Sequence, residues 1–405
     1  MSKRLYFEDA RAWEFSARTE KTKTDEKGTW LALDQTIFYP EGGGQPWDTG
    51  RLLQGNQEWR VVEVQADEDD VIWHRLDLSE NASLPLLNQD IHGEIDWARR
   101  FDHMQQHTGE HILANCVHRL AQGFTHGLHI GHEVSSIDVT LPEGKTRLDE
   151  EMLASIEALA NRCIQANHPI VCSFPTDEDL KKIPLRKEAG DFEHTRVCAM
   201  GDFEYVACGG THLSATGEVG LVKILSVQPS KGKMRVFFLC GERATAHYAM
   251  EHKALSRAGE LLSAKAEEVP ERLEQTLKLL ADARRELAAL HRKNTLDKVP
   301  GLLENAHAYK DGRRLVIAEL TENDLPAMEA LAGRLTQESR LIALLCAVKE
   351  GRYNFLFARS NDLDTNLSDF LKSTLAKGGG RPEFARGAAE DSLPWEAAKV
   401  MAVHL

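Results

Sequence analysis

Two short segments, about a hundred residues apart, carry side chains able to hold a metal ion. The first is His107-Thr108-Gly109-Glu110-His111 and the second is Cys208-Gly209-Gly210-Thr211-His212. The first lies in a helical pattern of apolar positions (Phe101, Met104, Ile112, Leu113, Val117, Leu120), and two His four apart on a helix share one face. In the second, Gly209-Gly210 allows a tight turn that aims Cys208 and His212 at one point. Together they offer three nitrogens and a sulfur, a compact set suited to tetrahedral Zn2+. Either segment alone is a common pattern; the two together, with Gly-Gly inside the second, are far more specific.

The first segment also reads H-x-x-E-H, the inverted zinc-peptidase pattern, with Glu110 as general base. That arrangement needs a distant carboxylate, for which Glu178 is a candidate, and leaves Cys208 and His212 without a task. Spacing by itself leaves both readings open.

These segments must be positioned by a chain of 405 residues, enough for a sizeable core and two or three domains. Its 42% hydrophobic and 28% charged residues are ordinary for a soluble globular protein. No run of 18 apolar residues occurs, so no membrane span is expected. The first residues, Met1 to Glu8, lack an apolar signal core. The seven Cys are odd in number and lack framework spacing, which points to a reducing cytoplasm. Only Cys208 then has a task; Cys116, Cys163, Cys172, Cys198, Cys240 and Cys346 are expected to be small buried apolar fillers. A net charge of −14 argues against a general nucleic-acid coat but leaves room for one basic track.

The expected fold class is α+β and multidomain, in four parts. Residues 1–92 show short alternating strands (Trp13 to Ala17, Trp30 to Leu33, Trp59 to Val64, Val71 to His74) that a small β-barrel would close. Inside this part lies Thr36-Ile37-Phe38-Tyr39-Pro40-Glu41-Gly42-Gly43-Gly44-Gln45-Pro46, where the backbone must turn sharply or approach a ligand; a plain glycine loop is the alternative. Residues 93–240 form an α+β unit around the metal motif, with Asp102 as helix N-cap, an amphipathic helix from Glu150 to Ala166, and a largely antiparallel sheet. Residues 241–298 are helical. Leu255, Leu262 and Val269 repeat every seven residues, as do Leu273, Leu280 and Leu287, with a phase break at Pro270. This predicts two helices or a kinked one, as a hairpin or coiled-coil linker whose seam suits a homodimer contact and internal packing equally. Residues 299–405 form a second α/β unit, with strands at Arg314 to Leu320, Leu341 to Val348 and Tyr353 to Ala358. Helices are expected from Leu325 to Glu338 and from Leu367 to Lys377. The second helix runs into Gly378-Gly379-Gly380, read as a flexible turn. Lys377, Arg381 and Arg386 against Glu383 leave this turn a net +2, able to meet phosphate or simply to be solvated. Lys231, Lys233 and Arg235 form another small basic cluster.

Three motifs, taken in order, resemble a known family. They are the Thr36 to Pro46 segment, His107 to His111, and Cys208 to His212 with the following Thr216-Gly217-Glu218-Val219-Gly220. They are similar to the editing half of alanyl-tRNA synthetase and its free-standing alanyl-tRNA editing (AlaX-type) relatives. The tail with Gly378-Gly379-Gly380-Arg381-Pro382 resembles their shared DHHA1-type C-terminal domain. The resemblance covers nearly the whole chain, with no evident aminoacylation domain. It therefore implies a free-standing, cytoplasmic trans-editing hydrolase that removes serine, and glycine as a second target, from mischarged tRNA(Ala). It places Zn2+ on His107, His111, Cys208 and His212. It puts Thr36 against the serine hydroxyl and Gly42, Gly43, Gly44 and Gln45 around the pocket. Glu110 stands where relatives often carry Gln or another residue, so its role stays open. Lys377, Gly378, Gly379, Gly380, Arg381 and Arg386 would contact tRNA. Two other functions compete: the H-x-x-E-H metallopeptidase, and a non-catalytic zinc-stabilised tRNA-binding module.

Overall fold

The computed structural model describes residues 1–78, 83–143, 147–187, 195–230, 232–320, 325–349, 351–374 and 376–404. The chain divides into two compact units, Met1–Ala254 and Leu255–Leu405. Both mix helix and strand, and among the described residues no helix is long and apolar enough to cross a membrane.

In the first unit, strands Glu14–Asp25, Gly28–Leu33, Gly50–Gln54, Gln57–Ala66, Ile72–Asp77 and Asp90–Ile95 close into the expected barrel. Going round it they follow the order first, second, fifth, fourth, third, sixth, with every neighbouring pair antiparallel. Alternate residues such as Phe15, Ala17, Leu31, Leu33, Leu52, Val61 and Ile91 fill the interior, as the period of two requires.

Helix α1, Trp97–Ala121, leaves the last barrel strand directly. Its N-cap is Asp96, whose side chain accepts from the Arg99 amide at 3.2 Å. Asp102, expected as the cap, instead lies one turn inside the helix and binds Arg243. The helix starts earlier because Asp96 follows the strand at once and already meets the free amides. Helix α2, Glu150–Ala166, packs on α1. An antiparallel sheet, ordered Val222–Ser230, Lys233–Cys240, Ser135–Thr140, Phe124–Ile130, completes this core around Ile112, Leu113, Val117, Ile156, Val236 and Phe238. A three-stranded sheet, Ile170–Ser173, Val197–Met200 and Glu204–Ala207, carries the chain to the second metal motif. In it Cys172 and Cys198 stand directly opposite one another, Cα atoms 4.1 Å apart, and are joined as a disulfide. That corrects the expectation for these two; only strand register brings them together. Cys116, Cys163, Cys240 and Cys346 are buried and free, as expected.

Barrel and α1 are joined by a fully buried ion pair. Arg100 of α1 places Nε 3.0 Å from Asp48 Oδ2 and Nη2 in closer contact with the same oxygen. It also donates to the carbonyls of Ala10 (3.0 Å) and Ile37 (2.5 Å), while Asp48 accepts from the Tyr39 amide at 2.7 Å.

Residues 241–298 are two separate helices, Gly241–Leu262 and Val269–Leu296, with Pro270 in the first turn of the second. In the second unit the sheet runs His307–Ala308, Arg314–Leu320, Leu341–Lys349, Arg352–Arg359, Phe384–Ala389, Lys377–Arg381. Only the pair Arg314–Leu320 and Leu341–Lys349 is parallel. Helix Leu325–Leu335 covers one face; Leu367–Ser373 and Leu393–Ala402 cover the other. Two expectations are corrected here. The helix from Leu367 ends at Ser373, and Lys377–Arg381 is a strand, not a flexible turn. The glycines pair in register with Phe384–Ala389, Gly378 opposite Gly387, Gly379 opposite Arg386 and Gly380 opposite Ala385, and Pro382-Glu383 makes the turn. Sheet pairing satisfies a backbone that has no side chains to bury.

Replacing Asp48 with Asn leaves the Arg100 guanidinium buried and unpaired. Urea unfolding of the variant is expected to show a loss of about 3–5 kcal/mol; a loss below about 1 kcal/mol would show that the pair does not hold barrel and helix together.

Candidate metal centre

α1 presents His107 and His111 one turn apart on its buried face, and the loop after Glu204–Ala207 brings Cys208 and His212 to them. The four ligand atoms lie within 4.8 Å of one another. Cys208 Sγ is 3.3 Å from the Nε2 atoms of both His107 and His212. A tetrahedral ion with bonds of about 2.0–2.3 Å has ligand edges of roughly 3.3–3.8 Å, so these spacings suit a cation between them. His111 Nε2 is buried without a hydrogen-bond partner, a costly state that coordination would relieve. Burial pushes His107 down to about 4, and His111 and His212 well below the usual imidazole range. Their lone pairs are therefore free at neutral pH. Burial pushes the Cys208 thiol up to about 11, opposed by the Gly210 amide, which donates to Sγ at 3.3 Å, and by Arg196. The donor set and its surroundings fit a metal ion.

The glycine-rich segment supplies the next layer. Gly42 and Gln45 exchange backbone hydrogen bonds of 3.1 and 2.9 Å across Gly43 and Gly44, whose φ values are +58° and +84°. Positive φ at both central residues is what a type I′ turn requires. The turn delivers Gln45, fully buried, to the His/Cys cluster. Its Oε1 accepts from His107 Nδ1 at 2.7 Å and from the Thr211 amide at 3.2 Å, and its Nε2 donates to Thr211 Oγ1 at 2.8 Å. With Nδ1 donating, His107 keeps the Nε2 lone pair toward the cluster. Thr108 Oγ1 lies 3.4 Å from His212 Nδ1 and accepts from the Leu213 amide. Arg196, buried, donates to the carbonyls of Cys208 (3.0 Å) and Gly210 (2.8 Å) and so shapes the Gly-Gly loop. Gly210 has to be glycine, because a Cβ there would stand 2.1 Å from the His107 ring.

A cavity of about 280 Å³ opens beside the cluster, bounded by Phe7, Tyr39, Gly42, Gly43, His107 and Cys208 among others. Gly44 and Gln45 lie at its support rather than its lining. Thr36 is fully buried and does not line it; its Oγ1 accepts from the Phe38 amide at 3.1 Å and is 2.9 Å from His74 Nε2. His74 Nδ1 in turn donates to the Leu31 carbonyl at 3.0 Å, which leaves Nε2 to accept the Thr36 proton. Glu110 is buried with Oε2 3.0 Å from His111 Nδ1. Burial raises it to about 7, against the pull of Arg186 and with a push from Glu204. Glu178, the carboxylate needed by the peptidase pattern, is exposed on a short helix and pairs with Lys182. Thr108, Thr211, Arg196, Asp48 and Arg100 were missed from the sequence; only Thr108 and Thr211 lay inside motifs.

In the second unit, Lys377 and Arg381 are exposed, whereas Arg386 pairs with Glu329 at 2.6 Å. Of the other basic cluster, Arg235 is bound by Asp138 (2.7 and 2.9 Å) and Lys231 lies outside the described residues.

The barrel and the loop that meets the buried helix both lie in segments similar to tRNA synthetases. Residues 10–99 match the family model of class II (A) tRNA synthetases, and residues 195–237 that of the threonyl and alanyl tRNA synthetase second additional domain. The alanyl-tRNA editing protein AlaX-M of Methanosarcina acetivorans is 35% identical over 249 residues, which are 59% of this chain and 98% of that protein. AlaX-L of Pyrococcus horikoshii is 29% identical over 96% of this chain and 95% of its own length. The alanine–tRNA ligase of Pyrococcus furiosus is 32% identical over 96% of this chain, which spans only 42% of the ligase. This chain belongs to the alanyl-tRNA editing (AlaX) protein family.

Two measurements check the centre. Gln45→Ala is expected to weaken metal binding about 10–100-fold in a chelator competition, with His107→Ala losing the ion altogether. For His74, burial lowers the folded value to about 4 from 6.5. The unfolded chain therefore takes up a proton first as pH falls. Stability full above pH 6.5 should decline by about 3 kcal/mol toward pH 4 and be flattened in His74→Gln, as followed by urea titrations across that range.

Proposed function

We propose that this chain is a trans-editing hydrolase acting on mischarged tRNA(Ala), chiefly Ser-tRNA(Ala), with Gly-tRNA(Ala) as a second substrate. The observation that carries the reading is the cavity where the glycine-rich turn meets the His/Cys cluster. Water attacks the ester carbonyl carbon, the carbon–oxygen bond to the terminal ribose breaks, and the ribose oxygen takes up the proton. Such an ester is activated, so positioning and polarisation suffice. A Zn2+ held by His107, His111, Cys208 and His212 supplies positive charge beside the cavity. Gln45 holds the His107 ring in one tautomer, Gly42 and Gly43 let the acyl group approach the backbone, and Glu110 sets the His111 ring.

Selection of serine over alanine falls to Thr36. With its proton on His74 and one bond accepted from the Phe38 amide, Thr36 Oγ1 keeps a lone pair able to accept from a serine hydroxyl. Thr36 is closed to solvent, so the cavity must open toward it when substrate binds. A site built around such a bond discriminates by roughly 10⁴–10⁵. The second unit is the DHHA1-like tRNA contact in this reading, through exposed Lys377 and Arg381 and the Gly378 to Gly380 strand. Homodimerisation through helix Val269–Leu296 rests on Leu273, Leu280 and Leu287, each about half exposed at heptad spacing.

Deacylation of Ser-tRNA(Ala) beside Ala-tRNA(Ala) tests this. Wild type should clear serine and spare alanine. His107→Ala should be inactive, and Thr36→Val should lose at least tenfold in kcat/KM on the seryl substrate. Tight tRNA binding with no turnover would identify a binding module instead, and peptide cleavage that needs Glu110 would identify a peptidase.

A further inference from the structure

A second cavity, of about 560 Å³, lies in the same unit outside the metal centre, bounded by Pro46, Arg99, His103, Ile130, Glu242 and Arg243. Its size is that of a small-molecule site. It shares two elements with the metal-site cavity. Pro46 follows the glycine-rich turn whose Gly42 and Gly43 line the first cavity, and His103 precedes His107 by one turn of α1, a rise of about 6 Å.

His103 is 3% exposed and its Nδ1 is buried without a hydrogen-bond partner, so a polar group in this lining is left unsatisfied. Burial, reinforced by Arg99 and Arg243, pushes its imidazole down to about 3. The ring is thus a neutral group with one donor and one acceptor. Arg99 spends Nε on the Trp47 carbonyl at 3.0 Å, and its terminal nitrogens donate to no group among the described residues. Arg243 is held by Asp102 at 2.7 Å and by the Gly131 carbonyl at 2.7 Å. Glu242 is exposed and offers an acceptor. The two guanidinium charges are matched by two carboxylates, so the lining does not suit a simple anion. It combines a free guanidinium for phosphate, an imidazole and a carboxylate for hydroxyl or base-edge groups, and Pro46 and Ile130 for an apolar ring face.

We propose that this cavity seats the nucleotide preceding the esterified terminal nucleoside of the tRNA, so that the chain end runs along α1 with its acyl group in the metal-site cavity. This rests on the editing function proposed above.

The test fills the cavity without removing a hydrogen bond. Ala246 lines it and is exposed. Ala246→Trp should lower kcat/KM on Ser-tRNA(Ala) at least tenfold, through KM. Hydrolysis of seryl-adenosine, which lacks the preceding nucleotide, should change less than twofold. Arg99→Ala should repeat the KM effect and reduce the salt slope by about 0.7, the loss of one single-strand phosphate contact. An equal fall on both substrates, or no fall on either, overturns the proposal. If wild type hydrolyses neither ester, the editing function fails by itself. Binding of the trinucleotide CCA then decides this site: binding at least tenfold weaker in Ala246→Trp supports it, and no binding or equal binding refutes it.

Discussion

The first unit depends on one charge pair taken wholly out of water. Arg100 and Asp48 are both fully buried, and such a pair holds only when each hydrogen-bonding group is met. Here Arg100 gathers carbonyls from Ala10 and Ile37, and Asp48 the amide of Tyr39. Three separate stretches of the barrel region, at Ala10, at Ile37 to Tyr39 and at Asp48, are therefore referred to one point near the start of α1. Asp48 stands three residues past Gln45, and Arg100 stands seven before His107. A shift at the pair would be passed to the contact between Gln45 and His107.

The His/Cys cluster is ordered from outside inward. Gln45, Thr108, Thr211 and Arg196 make the hydrogen bonds that orient two imidazoles and the Gly-Gly loop. His107, His111, Cys208 and His212 are left with lone pairs converging on a small space, in surroundings that disfavour protonated imidazole. A site of this kind is expensive without a cation and preorganised with one. Placing Glu110 in the same dry layer, raised to about 7, keeps a carboxyl near His111 without committing it to full charge.

The second unit uses different physics for its glycines. In the turn of residues 42–45, glycine meets a positive-φ requirement that delivers a side chain to the centre. In Lys377–Arg381, the glycines lie in an edge strand paired with Ala385, Arg386 and Gly387, and Lys377 and Arg381 are exposed. Similar composition thus serves opposite purposes, a turn in one case and an extended edge in the other. The correction from turn to strand follows from Phe384–Ala389, which lies further along the chain and offers a partner ladder.

Much of this was legible in the residues alone. The cluster of His107, His111, Cys208 and His212 was legible from side-chain chemistry and a spacing of four, which needs only helix geometry and a turn. The barrel was visible because inward and outward residues alternate with a period of two, and the helix break at Pro270 because proline lacks an amide proton. The family, too, was carried by motif order. What the sequence could not show were relations between distant segments. Gln45 orients His107, Arg100 neutralises Asp48, Cys172 meets Cys198, and His103 loses every partner for one nitrogen. Each depends on register, helix start or burial, and these are set by how elements pack. Local spacing determines which side chains share a face; only the tertiary structure decides what that face meets and whether water remains there.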